Sequence, residues 1–220
     1  MFKDLSEFIK YLALLEESKA NQIPALDQLS KELGINRAAL REQVAVARAL
    51  GLVTVKPRTG TQRLDYTFTS TIRQSLGYAI LQSRANFEKY SELRTHIESA
   101  YFDEAVKKLS KEDIAELKIL VENAWKKLRG TPPQIPHEEH RDLHVKMYCR
   151  LDNIFVTGII EAYWEAYEAV ELNVFTNYSY LTKVWTYHTD IIDFIERGEF
   201  EMARKRLVDH TELISVRPQI

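Results

Sequence analysis

The chain has 220 residues, is 45% apolar and 28% charged, and carries a formal net charge of −2. That balance excludes wholesale disorder, and 7 Gly with 6 Pro leave little room for a turn-rich all-β fold. Cys149 is the single cysteine, so no internal disulfide forms, and no apolar run reaches bilayer length. The start, Met1-Phe2-Lys3-Asp4, has no secretory pattern, so a cytoplasmic protein without a membrane partner is expected.

The length suits two domains of about 70 to 150 residues each. In chain order, Leu5, Phe8, Ile9, Leu12 and Leu15 recur at helical spacing and predict a helix over 2–17. Asn21 to Pro24 breaks it, and Pro24 opens a second helix with Leu26, Leu29 and Leu33 as its stripe. Gly34 stops that helix, and Asn36 caps a third over 37–50 with Leu40, Val44, Ala47 and Leu50 inward. Leu52 to Lys56 reads as a strand, Pro57-Arg58-Thr59-Gly60 as a turn and Thr61 to Tyr66 as the return strand. Helix, helix–turn–helix and hairpin in that order predict a winged helix–turn–helix.

Charge supports a use for that unit. Within 35–64 stand Arg37, Arg41, Arg48, Lys56, Arg58 and Arg63 against one acid, Glu42. A helix after a tight turn enters a major groove by its N-terminal residues, where Asn36, Arg37 and Arg41 sit. Arg37 and Arg41 are one turn apart, and arginine's planar donor fork suits guanine edges and phosphates. Arg58 beside Gly60 puts a cation at a turn where the backbone can approach DNA. The alternative is a basic but merely solvated face.

From 69 on, helical pattern dominates, with candidates at 69–84, 86–108, 111–128, 136–151, 154–171, 177–197 and 199–213. Ser110 before Lys111-Glu112-Asp113 is a start signal, and Gly130 to Pro136 is the clear loop. The prediction is a mainly α protein: a winged helix–turn–helix at 1–67, a linker at 68–76, and an antiparallel bundle of six or seven helices at 77–220.

Polar residues on the apolar stripes are the candidate site. His140 and His144 are one turn apart, His188 shares a stripe with Ile191, Ile192 and Ile195, and His210 with Ala203 and Leu207. Four imidazoles from three helices suit a divalent metal, zinc or nickel first; the plainer reading is hydrogen-bonded core histidines. His96 and His137 lack such a stripe and read as surface or loop residues. Arg94 also faces inward, and either Glu98 or a bound carboxylate ligand balances it. Tyr163, Trp164, Tyr167, Phe175, Tyr178, Tyr180, Trp185 and Tyr187 line a cavity or fill core and dimer surface.

Read as a whole, Ile23-Pro24-Ala25-Leu26, then Leu29 through Glu42, then Gly51-Leu52-Val53 and Gly60, resemble the GntR-family winged helix. Arg94 with Glu98, Leu143-His144, Asn153, and His188 with His210 around Ile195, Gly198 and Ala203 resemble that family's FCD-type ligand-binding domain. The resemblance implies a homodimeric transcription regulator on a pseudo-palindromic double-stranded operator. It also implies a divalent metal beside a small carboxylate effector that modulates operator binding. By position, Arg37 and Arg41 match DNA-contacting arginines, Gly60 the wing glycine, and His144, His188 and His210 the metal-binding histidines.

Two positions depart from the family pattern. His140 stands where an Asp is usual, which gives a less anionic donor set, or else water takes that place. Asp142 lies on the wrong face to replace it. Asp27 stands where a base usually contacts DNA, and an acid there repels phosphate. A zinc-hydrolase-like helical bundle with an accessory N-terminal module is the alternative, but no nucleophile motif, phosphate loop or Glu-x-x-His pair appears, so no enzyme is expected.

Overall fold

The computed structural model describes residues 2–16, 23–170 and 177–215, with side chains from 3 onward and up to 210. The chain divides into two compact units, 1–75 and 76–220. Ten α-helices and one two-stranded sheet are found among the described residues.

In the first unit a short 3-10 turn, Phe2–Asp4, precedes α1, Glu7–Leu14. The helix expected over 2–17 is shorter because Ser6 is extended and its Oγ accepts the Ile9 N–H at 3.3 Å, which starts the helix at Glu7. Residue 17 and Asn21 lie outside the described residues. α2 spans Leu26–Leu33 with Ala25 at its N-cap, so Pro24 precedes the helix by two positions. Gly34, at φ 66°, ends α2 in the left-handed conformation as its position implied. Asn36 Oδ1 accepts the Ala39 N–H at 2.9 Å and caps α3, Arg37–Ala49.

β1, Val53–Lys56, pairs antiparallel with β2, Gly60–Arg63, with Lys56 opposite Gly60. The return strand is shorter than the sequence suggested. Phe8, Leu12, Leu29, Leu40, Ala47 and Val53 form the core of this unit. Two long-range ties hold its edges: Gln43 Oε1 accepts the Phe8 N–H at 2.9 Å, and Arg63 Nη1 donates to the carbonyls of Leu12 and Leu15 at 3.3 and 2.6 Å. Gly51 has φ 73°, and a Cβ there would meet Ser70 Cβ at 2.5 Å, so glycine is required on two counts.

α4, Phe68–Gln82, contains the stretch 68–76 that the sequence suggested as a linker. The second unit continues with α5 Ala85–Val106, α6 Lys111–Leu128, α7 His137–Met147, α8 Ile154–Ala169, α9 Tyr178–Glu196 and α10 Phe200–Ser215. α9 packs on α10 and α6, α5 on α10, α8 and α7, and α7 on α6 and α8. The capping box at α6 is complete: Ser110 Oγ accepts the Asp113 N–H at 3.1 Å and Asp113 Oδ2 accepts the Ser110 N–H at 2.9 Å. Leu117, Val121, Ala124 and Leu128 then point inward at helical spacing. α8 is buried on several sides, through Val156, Ile160, Tyr163, Trp164 and Tyr167 among others, and this puts aromatic rings at the middle of the bundle.

Candidate metal centre and nucleic-acid interface

α7, α9 and α10 bring His140, His144, His188 and His210 together. One ring nitrogen from each lies within 4.8 Å of the other three. His144 Nε2 is 3.2 Å from His188 Nε2, and the His188 and His210 ring centroids are 4.4 Å apart. His144, His188 and His210 are fully buried, and His140 is partly buried. The i,i+4 spacing of His140 and His144 does what the sequence implied, with their rings 5.2 Å apart.

Electrostatics favour the neutral form of His144, His188 and His210. Burial pushes His188 well below the usual imidazole range, and the neighbouring imidazoles and Arg94 push the same way. Burial likewise lowers His210, with His144 and Arg94 adding to it. Burial also lowers His144, although Glu98 pulls in the opposite direction. Neutral imidazole is the metal-binding form.

The hydrogen bonds of the cluster are incomplete. His188 Nδ1 and both His210 ring nitrogens are buried without a hydrogen-bond partner. Buried polar atoms are normally satisfied, so these three call for an acceptor of their lone pairs or protons. Tetrahedral zinc–nitrogen bonds of about 2.0–2.1 Å put ligand nitrogens about 3.3 Å apart, close to the His144–His188 separation. The donor set therefore fits a divalent ion of borderline softness.

Arg94 and Glu98 stand beside the cluster, one turn apart on α5 and both fully buried. Arg94 Nε lies 2.9 Å from Glu98 Oε1, so the protein's own carboxylate stands beside the guanidinium. His144 Nδ1 is 3.3 Å from the same oxygen and 3.1 Å from Arg94 Nη2. Burial raises the Glu98 carboxyl, but Arg94 and His144 outweigh it and the net direction is down. The guanidinium also lies over Tyr163 and Trp164, at 4.5 and 5.3 Å. Arg94 Nη1, Glu98 Oε2 and Trp164 Nε1 are buried without a hydrogen-bond partner.

A narrow cleft reaches His140 past Pro136, Tyr163, Trp164, Tyr167, Tyr180 and Trp185. Five of the eight aromatics named from the sequence thus line it. Tyr178 is exposed and Tyr187 stacks under Arg206 instead. Phe175 lies outside the described residues. His137 starts α7 and lines the same cleft, which its lack of a stripe did not suggest. His96 is on the exposed face of α5. Asp142 pairs with Arg141 at 2.8 Å, away from the histidines, and Asn153 is the N-cap of α8. Trp164 and Glu98 as neighbours of the histidines were not legible, because only packing of α5 and α8 on α7 brings them there.

In the first unit, Arg37 and Arg41 are exposed at the start of α3. Arg37 Nη1 forms an ion pair with Asp27 Oδ1 at 2.9 Å, across the helix–turn–helix. Asn36 has its carbonyl oxygen committed to the cap. Arg58 is exposed at the tip of the hairpin with φ 71°, and Gly60 follows at φ 78° with open space around it. Arg63 belongs to the basic run but serves as a brace on the end of α1.

The family model for the FCD domain matches residues 90–213, which include Arg94 and all four histidines of the cluster. The chain belongs to the FCD domain family. The resemblance to FCD-type GntR regulators drawn from the sequence is thereby upheld, as is the mainly α fold with a winged helix–turn–helix. Among solved structures, Streptococcus agalactiae GntR superposes with a TM-score of 0.70 at 16% identity, over 94% of this chain and 97% of that one. The shared fold thus includes both units of this FCD protein. E. coli McbR/YncC aligns at 18% identity over 97% of this chain and 92% of its own, with a TM-score of 0.49. No curated protein matches the sequence. No helix among the described residues is long and apolar enough to cross a membrane.

Proposed function

We propose that this FCD protein is a homodimeric DNA-binding transcription regulator whose helical unit holds a divalent metal and a small carboxylate effector. In this reading residues 1–67 read a pseudo-palindromic operator, and residues 77–220 carry metal, effector and the second copy. Arg37 and Arg41 contact base edges and phosphates, Arg58 and Gly60 bring the wing to the backbone, and Asn36 orients the recognition helix by capping it.

The observation that supports the metal reading is the convergence of four imidazoles, with buried nitrogens of His188 and His210 left without a hydrogen-bond partner. His140, His144, His188 and His210 would hold the ion, zinc or nickel by the chemistry of an all-nitrogen set. Glu98 would accept from His144 Nδ1 and so fix its tautomer. A bound ion supplies a positive centre for a carboxylate oxygen. Arg94 presents a guanidinium 3.1 Å from His144 Nδ1. Effector binding alters operator affinity to the extent that it binds the DNA-competent and incompetent forms unequally.

Selection of genomic fragments by the purified, metal-replete protein at fixed near-physiological salt tests the regulator reading. Enrichment of one short inverted repeat supports it, and loss of that enrichment in Arg37→Ala ties it to the recognition helix. No enrichment in either metal-replete or carboxylate-supplemented protein would sink it. Metal analysis of purified protein tests the second part: one ion per chain is expected, and none after the cluster is removed.

A further inference from the structure

Asp27 and Arg37 stand on the two helices of the helix–turn–helix, and the backbone between them is tied down. Ser30 Oγ donates to the Ile35 carbonyl at 2.6 Å, and the Ile35 N–H donates to the Ser30 carbonyl at 3.2 Å. Leu29 of α2 and Leu40 of α3 are buried in the core of the unit. Asp27 lies one turn before Ser30 on α2, and Arg37 is the first residue of α3. A rigid frame therefore carries the carboxylate to the start of α3, where its Oδ1 lies 2.9 Å from Arg37 Nη1.

Stability does not explain this pair. Both side chains are more than half exposed, and an exposed ion pair adds little to folding. Its consequence falls on what Arg37 can bind. The pair is neutral as a whole, so it attracts a phosphate far less than a lone arginine does. The carboxylate stands against the guanidinium as a phosphate would, and it repels a second anion there. A guanine edge offers two neutral acceptors, O6 and N7, and the Nε–Nη2 side of the guanidinium supplies two donors for them. A guanidinium already held in place also loses less freedom on meeting a base.

We infer that Asp27 is a positioning residue of the DNA-reading surface: it turns Arg37 away from phosphate and holds its guanidinium for a guanine O6/N7 edge, lowering affinity for DNA in general and raising discrimination at that base pair. The inference rests on the regulator reading above and deepens it by separating base reading from phosphate contact.

The experiment uses the full, metal-replete chain and the inverted repeat it selects from genomic fragments. Each base pair of one half-site is exchanged in turn. Affinity is measured by fluorescence anisotropy over a range of salt for wild type, Asp27→Asn, Arg37→Lys and the double variant, with thermal unfolding as the check that each is folded. Arg37→Lys keeps the charge and loses the planar fork. In wild type one guanine is expected to be preferred about tenfold or more, and 7-deazaguanine there, which lacks the N7 acceptor, to weaken binding about fivefold. Arg37→Lys is expected to lose the preference at that pair.

Asp27→Asn is expected to bind every duplex more tightly at low salt, and the exchanged duplex by the larger factor. The guanine preference then falls about threefold or more at the pair that Arg37→Lys affects, and the slope of log affinity against log salt steepens by about one per half-site. The double variant is expected to match Arg37→Lys in preference, because Asp27 acts through the arginine fork. A guanine preference unchanged in folded Asp27→Asn overturns the inference and leaves the regulator reading standing. So does a loss spread evenly over all base pairs, a loss that persists on the Arg37→Lys background, or an Arg37→Lys effect at a pair without guanine. Selection of no repeat by the wild-type chain overturns the regulator reading and the inference with it.

Discussion

Glu98→Gln isolates the buried charge at the centre of the bundle. Arg94 Nε and Glu98 Oε1 are 2.9 Å apart and both side chains are fully buried. With an effective dielectric near 20, their attraction is about 6 kcal/mol. Glutamine keeps the shape and restores a hydrogen bond to the guanidinium of about 1.5–3 kcal/mol. The loss is then about 3–5 kcal/mol, the range for breaking one side of a buried pair. The faces of Tyr163 and Trp164 remain under the cation, but their attraction of about 2 kcal/mol is present in both proteins and cancels.

Denaturant unfolding of metal-stripped protein measures the loss, and a fall in Tm of about 6–20 °C accompanies it. Arg94→Met added to Glu98→Gln removes the stranded cation and is expected to recover most of the stability. The sign with pH follows from the lowered Glu98 carboxyl. Its contribution is fully present above the unfolded value near 4.5 and is lost as pH falls through the lower folded value. The acid limb of the stability curve therefore flattens in Glu98→Gln. A loss under about 1 kcal/mol, or a double variant no better than the single, would refute the assignment of Arg94 and Glu98 as a mutually dependent pair.

Three further outcomes are expected. Asp27→Asn releases Arg37 from an exposed ion pair worth at most about 1 kcal/mol, so stability barely moves while DNA affinity rises about threefold to tenfold at low salt, the gain shrinking as salt increases; weaker DNA binding in a salt titration would contradict it. Gly51→Ala must accept φ 73° and a Cβ 2.5 Å from Ser70, and a loss of at least about 2 kcal/mol is expected in chemical unfolding, partly relieved by Ser70→Gly. Chelator is expected to lower the Tm of metal-loaded wild-type protein, and His188→Ala to bind less metal and to show no chelator effect; an unchanged metal stoichiometry in His188→Ala would remove His188 from the ligand set.

Features that depend on neighbours in the chain are legible in the sequence alone. Asn36 and Ser110 cap helices because their side chains reach backbone N–H groups two or three residues on. Gly34 and Gly51 end helices because they tolerate positive φ. His140 and His144 share a face because a helix turns every 3.6 residues. What joins distant segments is decided only by tertiary packing. The pairing of Asp27 with Arg37 and the turn of Arg63 onto Leu12 and Leu15 follow from how the helices and hairpin of the first unit meet. The closing of three histidine stripes to within 4.8 Å, with Glu98 between Arg94 and His144 and the Trp164 indole alongside, follows from the docking of α5, α8, α9 and α10 around α7. Periodicity says which way each side chain points along its own helix; only the packed bundle sets which charges end up buried together.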